Sequence, residues 1–138
     1  CANTTDEKIG DTIRESKLGF PSTATMLPLI LSEGVDEGRI DIERAVEVTS
    51  TNTAKAWNLY PKKGTIRVGS DADLVVADLE ETKTVTPDLL QSVADYSIYD
   101  GRDVTGWPTH TVVGGELAYE DGEVLAEPGT GTHVDRPV

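Results

Sequence analysis

The stretch Lys63-Gly64-Thr65-Ile66-Arg67-Val68-Gly69-Ser70-Asp71-Ala72-Asp73-Leu74-Val75-Val76-Ala77-Asp78 decides how this chain is read. Ile66 and Val68 alternate with Thr65 and Arg67, the period of a strand with one buried face. Gly69-Ser70-Asp71 reads as a turn, because Gly tolerates positive φ and Ser or Asp can hydrogen-bond the local backbone. Leu74-Val75-Val76-Ala77 is a short apolar run, the pattern of a strand buried on both faces. The spacing therefore predicts a hairpin. Two strands around a turn need further strands to cover them. The chain before this hairpin carries helical signals and the chain after it carries strand signals, so the hairpin is the seam of the protein.

Toward the N-terminus, Thr51-Asn52 opens a short predicted helix with Asn52 as its cap and Ala54 to Trp57 as its body. Asn58 supplies a left-handed stop, and Pro61 prevents continuation. Trp57 and Tyr60 read as core and seam packing. A helix before it starts at Asp41, a good N-cap, with Ile42, Ala45, Val46 and Val48 as its stripe. Further upstream, Pro21 restrains Phe20 to an extended shape. Ser22 or Thr23 caps a helix carrying Met26, Leu27, Leu29, Ile30 and Leu31. Pro28 is tolerable there only in the first turn. Gly34 is the expected terminator of that helix. The segment Cys1 to Lys17 is polar and reads as a loop with one short helical turn.

Toward the C-terminus, Lys83 to Thr86 reads as a short edge strand stopped by Pro87, and Asp88 to Val93 as a helical turn. Asp95 to Pro108 reads as loop. Thr109 to Val113 is a strand, Gly114-Gly115 a hairpin turn, Glu116 to Tyr119 the returning strand, Asp121-Gly122 a second turn and Glu123 to Leu125 a closing strand. Ala126 to Val138 is a tail without a core.

Composition bounds the function. A chain of 138 residues makes one domain with a modest core. No apolar run approaches the ~20 residues of a membrane helix. The single cysteine, Cys1, excludes an internal disulfide and fits a reducing compartment, so the expected location is cytoplasmic. The formal net charge of −13 is spread along the chain. A solvated acidic surface accounts for it, and adaptation to high salt is the sharper alternative. Nucleic acid is a poor partner, because a polyanion needs clustered Lys and Arg.

The opening stretch, in its form KKGTIRVGSDADLVVAD, resembles a segment found across the metal-dependent amidohydrolases, where it enters a small β-sandwich built from both chain ends. VTSTNTAKAWNLYPKKGTI is similar to a family segment T-S-x-N-P-A-K-x-x-G-L-Y-P-x-K-G-T-I, with Thr53 in place of Pro and Asn58 in place of Gly. Leu18 to Leu29 resembles G-x-P-G-x-E-T-x-L-P-L, with Ser22 in place of Gly and Ala24 in place of Glu. Asp95-Tyr96-Ser97-Ile98-Tyr99-Asp100-Gly101 with Gly106-Trp107-Pro108 resembles D-Y-S-x-Y-[ED]-G…G-W-P, most typical of the hydantoinases and dihydropyrimidinases. The wider resemblance is to the cyclic-amide hydrolases, which also include dihydroorotases and allantoinases.

The resemblance implies a TIM-barrel α/β enzyme, of which this chain matches the C-terminal piece. Residues 1–60 correspond to the last loop and helices of the barrel, 61–125 to the C-terminal β-sandwich portion and 126–138 to an extended tail. As an isolated chain the fold class is α+β. In the family, the start of the Leu18 segment gives backbone contacts to the cyclic substrate, so Leu18 and Gly19 are the implied substrate-binding residues. Leu18 stands where hydantoinases and dihydropyrimidinases often have Asn. The intact family enzyme uses zinc held by a His-x-His pair, a modified Lys, two further His and an Asp that is the catalytic base. All of these are expected before Cys1, so no catalytic or metal residue is expected within this chain. The implied partners are an N-terminal barrel portion or a second copy, and a small cyclic amide.

The residues read alone agree that metal chemistry is not encoded here. His110 and His133 are far apart and lack ligand spacing. Asp71 and Asp73 sit at a turn and read as structural. Cys1 has no histidine in a recognisable partner context. Three functions follow: part of a hydantoin- or dihydropyrimidine-cleaving hydrolase, a catalytically inactive scaffold or assembly protein, and dihydroorotase or allantoinase activity in the intact enzyme. The stripe of Met26, Leu27, Ile30, Val46 and Val48 lacks barrel strands to cover it, so the isolated chain is expected to associate or aggregate.

Overall fold

A computed structural model describes residues 3–135. Cys1, and with it the reading of its thiol, lies outside them. The first element, α1 (Thr5–Lys8), is a single turn closed by a capping box: the Glu7 N–H donates to Thr4 Oγ1 and the Thr4 N–H to Glu7 Oε2. This is the short helical turn expected in the polar N-terminal segment.

The helix α2 (Thr23–Leu29) passes directly into a π-helical segment, Ile30–Asp36. Pro28 lies inside α2, past the first turn where it was expected. It lacks the N–H that an α-helix needs at that position, and the backbone widens to π two residues later. Gly34 does not end this helix. It lies within the π segment, where Ile40 packs so closely that a Cβ on residue 34 meets its side chain at 3.1 Å. The reversal comes later, at Gly38 with φ +65. Arg39 and Arg102 both donate to the Glu33 carboxylate and hold its pKa low, Arg39 first.

Asp41 caps the next run as expected, its carboxylate accepting the Arg44 N–H at 2.7 Å. This run is continuous: α3 (Ile42–Val46), a π segment (Glu47–Thr51) and α4 (Asn52–Ala56). Asn52 is therefore not a cap, since Thr51 and Asn52 both keep helical dihedrals. Asn58 stops the run in the left-handed region, with φ 56. Trp57 and Tyr60 stay largely exposed rather than buried as core, with Lys55 Nζ 5.3 Å from the centre of the Tyr60 ring.

The predicted hairpin does not form. Residues 65–68 make no strand, and Ile66 and Val68 are 86% and 101% exposed. A lone alternating segment has no ladder to join. The chain from Pro61 to Asp73 is instead a set of turns tied down by side chains: Thr51 Oγ1 donates to the Gly64 carbonyl and Ser70 Oγ to the Pro61 carbonyl, both at 2.7 Å.

The sheet is a four-stranded antiparallel meander in the order β1-β2-β3-β4. β1 (Leu74–Thr84) pairs with β2 (Asp103–Val113), which pairs with β3 (Glu116–Glu120), then β4 (Glu123–Val124). Leu74 to Ala77 do form a strand, but an open one: Val75 and Val76 are more than half exposed. Lys83 and Thr84 end β1 rather than forming a separate edge strand. Residues 103–108, read as loop from Thr105-Gly106 and Pro108, belong to β2. The ladder accommodates that irregular composition with register shifts near Ala77 and between Asp78 and Thr82. Gly114-Gly115 and Asp121-Gly122 make the two expected tight turns, all four residues at positive φ. A one-turn 3-10 helix, Pro87–Leu90, replaces the turn expected at 88–93.

The core sits at one end of the sheet. Val85, Val104 and Trp107 are buried together, with Leu29 and Tyr99 packed against them. The Trp107 indole donates to the Val104 carbonyl at 2.7 Å, so its one polar group is satisfied. Gly106, at φ +94, lets β2 approach the helical layer: a Cβ there meets Leu31 Cβ at 2.7 Å. The other end is open. An apolar groove of about 610 Å³ runs between the helices and β1, with Met26, Ile42, Val46, Leu74 and Val75 on its walls.

Candidate functional site

Leu18 and Gly19 lie on an exposed loop between α1 and α2. Gly19 has φ +91, a conformation open to Gly and strained for other residues. Phe20 is half-exposed beside it, and the buried Pro21 anchors the loop to the helical layer. Among the described residues, the Leu18 N–H, the Leu18 carbonyl and the Gly19 N–H take no hydrogen bond. The loop thus presents two unused backbone donors and one acceptor, the groups that complement an amide C=O and N–H. A cleft of about 180 Å³ opens next to it, between Phe20 to Ala24 and Leu90 to Ser92.

Two distant segments hold this loop. Lys8 Nζ donates to the Gly19 carbonyl, and to the Lys17 carbonyl at 3.2 Å. The Tyr96 hydroxyl lies 3.5 Å from the same Gly19 oxygen, and Lys8 Nζ stands 5.9 Å from the centre of the Tyr96 ring. Asp95 fixes α1 by accepting from the Thr5 N–H at 2.7 Å and the Thr5 hydroxyl at 2.9 Å. Those bonds hold its carboxyl below the usual carboxylate range, the backbone one most. Sequence reading missed Lys8, Asp95 and Tyr96 as a group. Asp95-Tyr96 stood within a recognisable segment, but nothing in its spacing pairs it with residue 8.

His110 and the turn carboxylates have partners within the fold, and His133 is an exposed tail residue. His110 faces Glu120 across the β2–β3 ladder, Nε2 to Oε1 at 3.2 Å, and its Nδ1 meets Thr109 Oγ1. His133 lies in the tail, 3.5 Å from Asp135. Lys63 pairs with Asp71 at 2.9 Å and with Asp73, whose other oxygen accepts the Gly114 N–H at 2.8 Å. Asp73 thus ties the turn region before β1 to the β2–β3 turn. Its pKa is lowered by Lys63 first and by the Gly114 N–H second, while Lys63 is raised by Asp73 and Asp71. Among the described residues, no three His, Cys, Asp or Glu side chains are grouped to hold a metal. The donors present do not fit a zinc site, and no chemical step is assigned through a metal here. No helix among the described residues is long and apolar enough to cross a membrane.

Residues 4–118 match the Amidohydrolase family. The chain is 46% identical over 112 residues to an L-hydantoinase of Paenarthrobacter aurescens, covering 81% of this chain and 24% of that protein. It is also 46% identical over 113 residues to Protein unc-33 of Caenorhabditis elegans, covering 82% of this chain and 13% of that one. A solved D-hydantoinase structure superposes with a TM-score of 0.84 at 35% identity, over 89% of this chain and 27% of the other. The chain spans about a quarter of the length of the hydantoinases it matches.

Proposed function

The chain belongs to the amidohydrolase family, and we propose that it is the C-terminal part of a hydrolase acting on the carbon–nitrogen bonds of cyclic amides of the hydantoin or dihydropyrimidine class. In this reading the helices of 23–56 flank a TIM-type barrel, and the meander of 74–124 is one layer of a small sandwich. The tail after it is an extension of that sandwich unit. The likeness to a hydantoinase in both sequence and backbone carries the reading. The free backbone groups of Leu18 and Gly19 support their role as contacts to the cyclic amide. The metal, zinc, and the catalytic base are assigned to the barrel portion; among the described residues no three His, Cys, Asp or Glu side chains are grouped to hold a metal. That barrel portion is also the proposed partner of the apolar groove. The location proposed for the working enzyme is the cytoplasm.

The test is metal content and turnover of hydantoin and dihydrouracil by the purified chain. The expected result is neither bound zinc nor turnover. Stoichiometric zinc with turnover by the chain alone overturns the assignment of the chemistry to the barrel portion. A second reading is a catalytically inactive, amidohydrolase-like scaffold or assembly protein. It differs in one observable: a scaffold gains no activity when a barrel portion is supplied.

A further inference from the structure

Lys8, from α1, and Tyr96, from the segment before β2, converge on one atom, the Gly19 carbonyl oxygen. We propose that they are positioning residues, which clamp the Leu18–Gly19 loop in the conformation that meets a cyclic amide; this rests on the reading of that loop given above. The geometry divides the loop's backbone groups in two. The Gly19 carbonyl, and through Lys8 the Lys17 carbonyl, are taken up by the clamp. The Leu18 N–H and carbonyl and the Gly19 N–H stay open for a ligand. A loop glycine at positive φ has more freedom than any other residue, and a contact made by backbone alone has no side chain to hold it in place. An ammonium on the carbonyl is a charge-assisted bond, and it removes that freedom before the ligand arrives. The hydroxyl of Tyr96 contacts the same oxygen, and its ring lies under the Lys8 ammonium. Asp95, the neighbour of Tyr96, in turn anchors the helix that carries Lys8. Segments 11 and 77 residues away from Gly19 are thereby coupled to one loop.

The experiment uses the full chain labelled with nitrogen-15, as wild type and as Lys8→Met, Lys8→Arg and Tyr96→Phe. Heteronuclear NOE values at Leu18 and Gly19 report order in the loop, and a hydantoin titration reports contact with it. The clamp predicts an ordered loop in wild type, a drop in NOE in Lys8→Met and a smaller drop in Tyr96→Phe. Lys8→Arg, which keeps a cationic donor, restores the wild-type values. Hydantoin shifts at Leu18 and Gly19 are lost in Lys8→Met and return in Lys8→Arg, while β1 and β2 amides stay unmoved in all four. Equal NOE values in wild type and Lys8→Met overturn the clamp, as does an unchanged hydantoin response in that variant. A wild-type loop that is ordered by Lys8 yet gives no hydantoin shift leaves the clamp standing and refutes the substrate role of the loop.

Discussion

Asp73 shows how a single residue holds the sheet to what precedes it. Its carboxylate bridges Lys63 and the Gly114 N–H, so one side chain joins the turn region before β1 to the β2–β3 turn. The side chain is 34% exposed, so solvent screens the ion pair. Asp73→Asn keeps an acceptor for Gly114 and loses the charge, with an expected cost of about 0.5–1 kcal/mol in urea unfolding. Asp73→Ala also leaves the N–H unmet and is expected to cost about 1–3 kcal/mol. The pKa of Asp73 is depressed in the folded state. Its contribution is therefore complete above the unfolded carboxylate pKa of about 4 and is lost as pH falls through the depressed folded value. The stability gap between wild type and Asp73→Asn is expected at pH 6 and should close toward pH 3. A gap that is undiminished at pH 3 contradicts the ionic origin. The structural character of Asp71 and Asp73 was legible from their place at a turn. Their partner Gly114 was not, because nothing local links positions 41 residues apart.

At the scale of elements, two glycines let layers approach. Gly106 brings β2 against Leu31, and Gly64 brings the turn region against Ala54, where a Cβ meets Ala54 Cβ at 2.5 Å. Gly106→Ala meets both a backbone at φ +94 and a packed neighbour. It is expected to cost about 3 kcal/mol, the sum of local strain and overpacking. The measurement is urea unfolding of Gly106→Ala beside wild type, where an unchanged midpoint contradicts both costs. Elements with local signals were read well: the Asp41 cap, the Asn58 stop and both tight turns of the meander. Those that depend on distant partners were not. Thr65 to Val68 alternate like a strand, but alternation specifies a face and supplies no neighbour. Asp103 to Pro108 look like loop because Gly106 and Pro108 weaken strand propensity. They are nevertheless strand, since β1 offers them a ladder and Val104 and Trp107 fill the core. The Lys8–Gly19–Tyr96 contact was illegible for the same reason.

The molecule as a whole is a sheet and a helical layer closed at one end and open at the other. The closed end holds Val85, Val104 and Trp107, and the open end exposes Met26, Val46, Val75 and Val76. An apolar face of that kind favours association, while the net charge of −13 opposes it. Salt screens the second without weakening the first. Sedimentation velocity is therefore expected to show concentration-dependent self-association that grows as salt is raised. Val46→Ser with Val75→Thr should reduce it, and a monodisperse monomer at every concentration and salt level contradicts the open-face account. The family was legible because its segments are long and nearly uninterrupted, whereas the way the two layers close depends on side-chain packing. The most direct test of the central claim is hydantoin and dihydrouracil hydrolysis by this chain purified together with a hydantoinase barrel portion carrying a His-x-His motif. The account predicts that the two parts associate through the open apolar face and that turnover appears only in the pair. A folded, associated pair without turnover would contradict it and favour the scaffold.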